Sequence, residues 1–423
     1  MADEVAGQIP RLAGRRGLMP ERALEGLKVL ELGDFISAAY ASKLLADLGA
    51  EVIKIEPPAG DNSRRHGPFP ADEPHDERSG LYLFLNANKR SVTLDIEQPE
   101  GAALCRRLAQ QADIVIHNLP PAELEAHGLD YETLSEDHAE LVMSSITVFG
   151  YDTLYRDWKG HALTATAASG ISMRIGDPGR SPLWIPYCAA DFQGGIHGAA
   201  AALLALRARR SSGEGQHAWV SIVEVVGSYL AGSALPGFVL SGQLRSRAGT
   251  HMEAFYPWQV TPSADGYFEV ITMVDDQWQR FVELMDESDA PWAADERLEA
   301  RWTAWQWADE IDPNWYPWMR ERTTAELTEL FREHGLPFQP VNSLDVVADS
   351  DHLKRRDFWR TITHAEAGEY QTLGPPYRLS ETPWELRRPP PLLGEHNAEV
   401  LVGELGLGAM ELARLVVTGV VAS

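Results

Sequence analysis

The first patterned stretch of the chain is a short apolar run, LKVLEL at 27–32, closed by Gly33. A strand buried on both faces of a parallel sheet reads this way. The next stretch, AYASKLLADLG, repeats apolar positions at helical spacing and stops at Gly49; EVIKIE at 51–56 is a second strand. Strand, helix, strand predicts a βαβ unit. The pattern then recurs. SVTLDI (91–96) predicts a strand, EGAALCRRLAQQA (100–112) a helix, DIVIHN (113–118) a strand and LVMSSITVFG (141–150) another. The expected class is α/β, with a large Rossmann-like domain on a parallel sheet.

Further on, FQGGIHGAAAALLALRAR (192–209) predicts a helix of small residues that ends in arginines and a Ser/Gly turn, as helix C-termini often do. HAWVSIVEVV restarts an apolar segment, and from about residue 225 the character changes. YFEVITMVDDQWQRFVELM (267–285) predicts a strand and then a helix, and 287–320 is rich in tryptophan: Trp292, Trp302, Trp305, Trp307, Trp315 and Trp318. Pro-rich loops (PPPLLGEH, 389–396) follow, with a last helix near NAEVLVGELG. Residues 1–26 read as a loose polar arm, and no internal repeat is visible. At 423 residues the chain is too long for one simple core, so two domains are expected.

Charge narrows the partners. With 37 basic against 62 acidic residues, the formal net charge is −25. Such a surface repels phosphate backbones and anionic lipid, so neither nucleic acid nor a membrane is an expected partner. The two cysteines, Cys105 and Cys188, make no disulfide framework and no zinc-ligand spacing, so no metal is expected. The N-terminus lacks the apolar core of a signal peptide, and no apolar run reaches the ~20 residues of a membrane span. A cytoplasmic protein is expected.

Five features could carry chemistry. Gly33 between a strand and a helix suggests a nucleotide site, but the loop is GDFISA and lacks the spaced glycines that let a backbone approach a pyrophosphate. An ordinary β–α turn is the stronger reading. Asp191 sits at the start of the small-residue helix, where its commonest job is to cap it. Alternatively it is a carboxylate nucleophile, kept ionised by helix-terminal amides, with Gly194 and Gly195 leaving room for a bulky thioester. Local spacing favours the cap. His161 reads first as a loop or packed histidine; paired with Asp191 across a pocket, it would exchange an α-proton. Asn86–Arg90, with Lys54, Arg64 and Arg65, reads as a solvated face or as phosphate-holding cations at the carboxyl edge of the sheet. The tryptophans read as core or interface anchors, with an aromatic wall for a large acyl group as the minority reading. No G-x-S-x-G elbow, Walker loop or H-E-x-x-H occurs.

Five stretches in order resemble the class III CoA-transferase (CaiB/BaiF, formyl-CoA transferase-like) family, which also contains 2-methylacyl-CoA racemases. They are LKVLELGDFISAAYASKLLADLGAEVIKIEPPAGDNSR, NANKRSVTLDIEQPEG, ADIVIHN with LEAHGLDYETL, ADFQGGIHGAAAALLALRARRSSGEGQ, and PPLLGEHNAEVLVGELGL. The resemblance runs from about Leu27 to Val420. It implies a large domain from 27–222, completed by 345–423, a smaller α+β domain over 223–344, and an interlocked homodimer. It implies Asp191 as the catalytic aspartate. Ile36, Lys54, Arg64, Asn88, Lys89 and Arg90 would line the nucleotide and phosphates of coenzyme A, and Phe149 would lie near the thioester. No permanently bound cofactor is implied; a coenzyme A thioester is the substrate and a small carboxylic acid its partner. The implied path is covalent, through an aspartyl anhydride and an aspartyl-CoA thioester, with amides near Gly194 facing the oxyanions.

The chain departs from the family in three places. RAGTHMEAF (247–255) stands where some members have a glycine-rich lid. Ala162 follows His161, where the racemase branch has Asp, and MVDDQW (273–278) resembles the transferases. These residues favour transferase over racemase.

Overall fold

A computed structural model describes residues 21–232, 234–253, 255–285 and 296–422. The chain divides into two compact units. The larger holds residues up to Ser169, then Ile185–Ser228 and Asp357 onward; the smaller holds Gly170–Trp184 and Tyr229–Arg356. The sequence placed the exchanges at 223 and 345; the divisions fall at 229 and 357, and 170–184 joins the smaller unit as well.

The larger unit is built on a parallel sheet of β1 (Lys28–Leu32), β2 (Glu51–Glu56), β3 (Lys89–Thr93), β4 (Ile114–His117), β5 (Val142–Thr147) and β6 (Gln216–Ser221). Their spatial order is β3-β2-β1-β4-β5-β6. Val29 pairs with Val52 on one side and Ile114 on the other, and Ile114 with Val142. These apolar runs are buried on both faces, as a helix-covered parallel sheet requires. β3 starts at Lys89, two residues before the predicted SVTLDI, because the Lys89 side chain is itself buried.

The covering helices are α1 (Ser37–Ala46), α2 (Gly80–Leu85), α3 (Pro99–Ala109), α4 (Pro121–His127), α5 (Tyr131–Asp137), α6 (Ala162–Ala168), α7 (Ala189–Ser212) and α8 (Ile222–Ser228). The strand order reverses between β1 and β4, so their carboxyl ends open a crevice. Asn118 ties that crevice together. Its Oδ1 accepts the Asp34 N–H (2.9 Å), and its Nδ2 donates to the Asp34 carbonyl (2.6 Å) and Ser37 Oγ (3.0 Å). The C-terminal segment returns to this unit: Val400, Leu401, Leu415 and Val420 join the core around Leu94, Cys105 and Val115. Burial pushes the Cys105 thiol up to about 12, so it packs as an inert apolar group.

The smaller unit holds an antiparallel sheet of Trp258–Pro262, Tyr267–Ile271 and Phe338–Pro340. Phe268, Phe281, Phe331 and Trp315 fill its core. Three of the six tryptophans act as anchors there. Trp315 is buried and Trp305 and Trp318 are partly so, while Trp302 and Trp307 are exposed; Trp292 lies outside the described residues. Arg247 and His251 are fastened within this unit: the Arg247 guanidinium donates to the carbonyls of Asp177, Pro178 and Arg180, and His251 Nε2 meets Asp312 Oδ2 at 2.8 Å.

Candidate functional site

Glu31, in β1, has no exposed surface. Its carboxylate accepts from Lys54 Nζ (2.6 Å), Lys89 Nζ (2.8 Å) and Ser42 Oγ (2.5 Å). Lys54 also reaches Asp61 Oδ2 (2.6 Å), and Lys89 reaches the Ala39 carbonyl (2.7 Å) and Asn86 Oδ1 (2.9 Å). Next to this set, Arg64 forks onto Glu56 (2.7 and 2.9 Å), meets Glu77 (2.6 Å) and lies 3.7 Å over the Tyr82 ring. Burial alone would raise the Glu31 carboxyl, but Lys54 and Lys89 outweigh it and hold it near 2. Burial and the neighbouring Lys54 charge draw Lys89 down to about 8.

Lys54, Arg64 and Lys89 thus stand in buried ion pairs with their donors occupied, rather than as a solvated face or an open phosphate cradle. What they hold is the loop after β1. Asp61, fixed by Lys54, accepts the Phe35 N–H at 3.2 Å, where the backbone takes a left-handed φ of 67°. Ile36 is buried behind it with Ala39, Leu81 and Leu85.

Asn88 and Arg90 lie elsewhere. The expectation put them at the carboxyl edge of the sheet; both stand at its amino end. Asn88 donates to Asp47 Oδ1 (2.8 Å) and the Glu385 carbonyl (2.9 Å). Arg90 is paired with Glu399 (2.9 Å) and Glu404, beside Lys28 and Glu51, which begin their strands. β3 runs parallel to its neighbours, so Asn88 and Arg90 stand at the end of the sheet away from Gly33 and Asn118.

Asp191 and His161 do come together, and Phe149 packs beside Gly160, the residue before His161. α7 begins at Ala189, with Cys188 in the cap position, so Asp191 is inside the first turn and does not cap its own helix. Its carboxylate instead lies toward the Ala162 N–H at the start of α6, which favours its ionised form. Asp191 is 9% exposed. Burial raises its carboxyl to about 6, against the opposing pull of the nearby His161 and the Ala162 N–H. His161 caps the other end of this contact: it precedes α6, is exposed, and its N–H donates to Thr164 Oγ1 (3.4 Å). Gly160 permits the approach, since a Cβ there would stand 2.8 Å from Val148 Cγ1 and 3.2 Å from Phe149 Cε2. Phe149 in turn packs on Trp158 and Tyr155 at 6.0 and 5.9 Å between ring centres.

Gly194 and Gly195 face inward. A Cβ on Gly194 would meet Ile222 at 2.8 Å, and one on Gly195 the Ser37 carbonyl at 2.8 Å. Their absent side chains let α7 lie against α8 and α1, not against a substrate. From Asp191 onward the helix amides are already bonded, Asp191 N–H and Phe192 N–H both to the Cys188 carbonyl. Gly194 therefore has no free amide for an oxyanion; the uncommitted donors of a helix lie ahead of its first bond. Sequence reasoning passed over Cys188, whose partly buried thiol is pushed up by burial and by Asp191. It also passed over Gly160 and the exposed Trp158; a lone cysteine or loop aromatic carries no spacing signal.

The model of CoA-transferase family III matches residues 24–397. The chain is 32% identical over 398 residues to a succinyl-CoA–D-citramalate CoA-transferase of Chloroflexus aurantiacus, covering 94% of this chain and 97% of that one. It is also 32% identical over 393 residues to a subunit of the succinyl-CoA:(R)-benzylsuccinate CoA-transferase of Thauera aromatica, covering 90% and 94%. The crystal structure of a CaiB/BaiF family protein from Brucella suis superposes with a TM-score of 0.78 at 29% identity, over 90% of this chain and 99% of that one.

Two predictions follow from the electrostatics. Lys54→Met leaves Glu31 and Asp61 buried and short of a partner, so it should lower unfolding stability by about 3–5 kcal/mol; an unchanged urea midpoint would place Lys54 outside the structural network. For Asp191, the folded state holds its proton up to about pH 6, above the ~4 of an unfolded chain. Ionising it therefore costs stability, a cost absent below pH 4 and complete above pH 6. Asp191→Asn should be more stable than wild type by roughly 1–3 kcal/mol at pH 7 and equal to it at pH 4, read from denaturant melts.

Proposed function

Because this chain belongs to CoA-transferase family III, we propose that it moves coenzyme A between carboxylic acids with Asp191 as the covalent nucleophile. The observation that carries this is the Asp191 carboxylate: buried, near His161 and the Ala162 N–H, and drawn up only to about 6, so that it is ionised at neutral pH. A carboxylate oxygen of Asp191 attacks the donor thioester carbonyl. The C–S bond breaks, coenzyme A leaves as thiolate, and a mixed anhydride remains. The thiolate attacks the Asp191 carbonyl and expels the donor acid as carboxylate, leaving an aspartyl-CoA thioester. The acceptor carboxylate displaces the thiolate to give a second anhydride. The thiolate then takes the acceptor's acyl carbon and frees Asp191.

The α7 amides ahead of Asp191, those of Ala189 and Ala190, are the proposed oxyanion donors. Lys54, Arg64 and Lys89 serve coenzyme A at one remove, by holding the loop from Gly33 to Ile36; the exposed Arg65 is the proposed phosphate contact. The relatives' named acids are D-citramalate and benzylsuccinate at the same 32% identity, so identity does not select the acid. A homodimer is proposed from the apolar side chains that Ala234–Ser241 leaves exposed, Leu235, Phe238, Val239 and Leu240. The cytoplasm is the proposed compartment for a chain with two unpaired cysteines.

One observation favours a second reading. His161 lies near enough to Asp191 to favour its ionised form, the relation an α-proton exchange on a 2-methylacyl-CoA would use. A single set of incubations separates the two. With succinyl-CoA and a panel of acids, hydroxylamine added during turnover should convert Asp191 to a hydroxamate found by peptide mass, and Asp191→Ala should lose at least ~10³-fold in rate. Transfer undiminished in that variant removes the nucleophile. Deuterium entering the α-carbon of 2-methylacyl-CoAs in D₂O, without hydroxamate, establishes the racemase instead.

A further inference from the structure

The larger unit carries an open groove of about 750 Å³, lined by Trp359 and Arg360 of one segment and by Trp384, Leu386 and Arg387 of another. Trp359 and Arg360 begin the antiparallel hairpin of Trp359–His364 and Gly368–Leu373. Arg387 fixes the position of the groove. Its Nη2 donates to the carbonyls of Ala46 (2.8 Å) and Ala50 (2.9 Å), the last residue of α1 and the residue before β2. That is the amino end of the sheet, away from the Gly33 crevice. Asn88 holds the same segment: its Oδ1 accepts the N–H groups of Arg387 (2.6 Å) and Arg388 (3.1 Å), and its own N–H donates to the Arg388 carbonyl (3.1 Å).

The polar atoms left over in the walls are all donors. Trp359 Nε1, Trp384 Nε1, Arg360 Nε and Arg387 Nε are buried without an acceptor. The acids nearby are engaged. Glu385 pairs with Arg22 (2.9 Å), Asp47 with Lys43 (2.8 Å) and Asn88 (2.8 Å), and Asp357 with Arg360 Nη1 (2.8 Å). Among the described residues no carboxylate pairs with Arg387 or with the exposed Arg388 beside it, and the outer nitrogens Arg360 Nη2 and Arg387 Nη1 make no hydrogen bond. Burial and the charges of Arg22 and Arg388 hold the Arg387 guanidinium below the usual arginine range, against Asp47 and Glu385. In a chain of net charge −25 this is a local surplus of positive charge. A half-buried cation without a counter-charge is costly, and a bound anion removes that cost.

The walls also limit what the anion is. One guanidinium fork satisfies a carboxylate; two guanidinium groups suit the three oxygens and double charge of a phosphate. Trp359, Trp384 and Leu386 add an apolar wall, which a bare inorganic ion does not use.

We propose that this groove is a binding site for an organic phosphate monoester, with the phosphate on Arg360 and Arg387 and the apolar body against the indoles. It is separate from the crevice at Gly33 and stands whether or not Asp191 is the nucleophile. The test is calorimetric titration of the full-length protein with phenyl phosphate, inorganic phosphate and benzoate. The wild type should bind phenyl phosphate about tenfold tighter than either of the others. Arg387 also holds two backbone carbonyls, so Arg360→Met, which gives up only the surface pair with Asp357, is the deciding variant; it should bind phenyl phosphate about tenfold more weakly. Arg65→Met, at the proposed coenzyme A contact, should bind it as the wild type does. No binding, or binding that survives Arg360→Met, overturns the site. Benzoate or inorganic phosphate binding equally well overturns the ligand class. Loss of binding in Arg65→Met assigns the phosphate to the coenzyme A crevice and overturns the groove as well.

Discussion

Two ammonium groups converge on one carboxylate in the middle of the sheet, and much of the larger unit is arranged around that contact. Glu31 belongs to β1, Lys54 to β2 and Lys89 to β3, so a single acid joins three adjacent strands. Through Ser42 and the Ala39 carbonyl it also fastens α1, and through Lys54 and Asp61 it fastens the loop that leads into α1. Burying these charges would be prohibitive singly. It is sustainable because each has oppositely charged or hydrogen-bonding partners within about 3 Å. The gain is placement: the β1–α1 turn at the switch point has one defined shape, including the left-handed residue Phe35.

The same balance of burial against partners is struck differently at Asp191. Glu31 has two cations and a hydroxyl, and its carboxyl is held near 2. Asp191 is almost as buried but has only the nearby Ala162 N–H and a histidine that does not close on it, and its carboxyl rises to about 6. An acid with every partner in place is structural and chemically quiet. An acid buried without enough of them retains a reactive lone pair close to neutral pH. Cys188, one turn away, fails the same comparison, because burial and the Asp191 charge both keep its thiol protonated.

The acidic surface charge and the paired interior belong together. With a net charge of −25, cations are scarce, and several of them are spent inside.

Strand and helix periodicity were legible because they depend on neighbours along the chain. LKVLEL, EVIKIE and DIVIHN became β1, β2 and β4 within a residue or two, and the small-residue run became α7. Asp191 was marked by its place at the head of that run, although its local reading as a cap did not hold: the helix starts two residues earlier, and the carboxylate turns to α6. The roles of Lys54, Arg64 and Lys89 were not legible, since Glu31 and Glu56 sit inside apolar strand patterns and nothing in sequence order says which cation meets which acid. Asn88 and Arg90 were misplaced for a related reason. They adjoin Lys89 in the chain, but the direction of β3 sets them at the opposite end of the sheet. What the amino-acid sequence determined by itself was the alternation of elements, because backbone geometry and hydrophobic spacing are local. Which charges pair, which remain open and which face a carboxylate presents were decided only when strands and helices far apart in sequence came within a few ångströms.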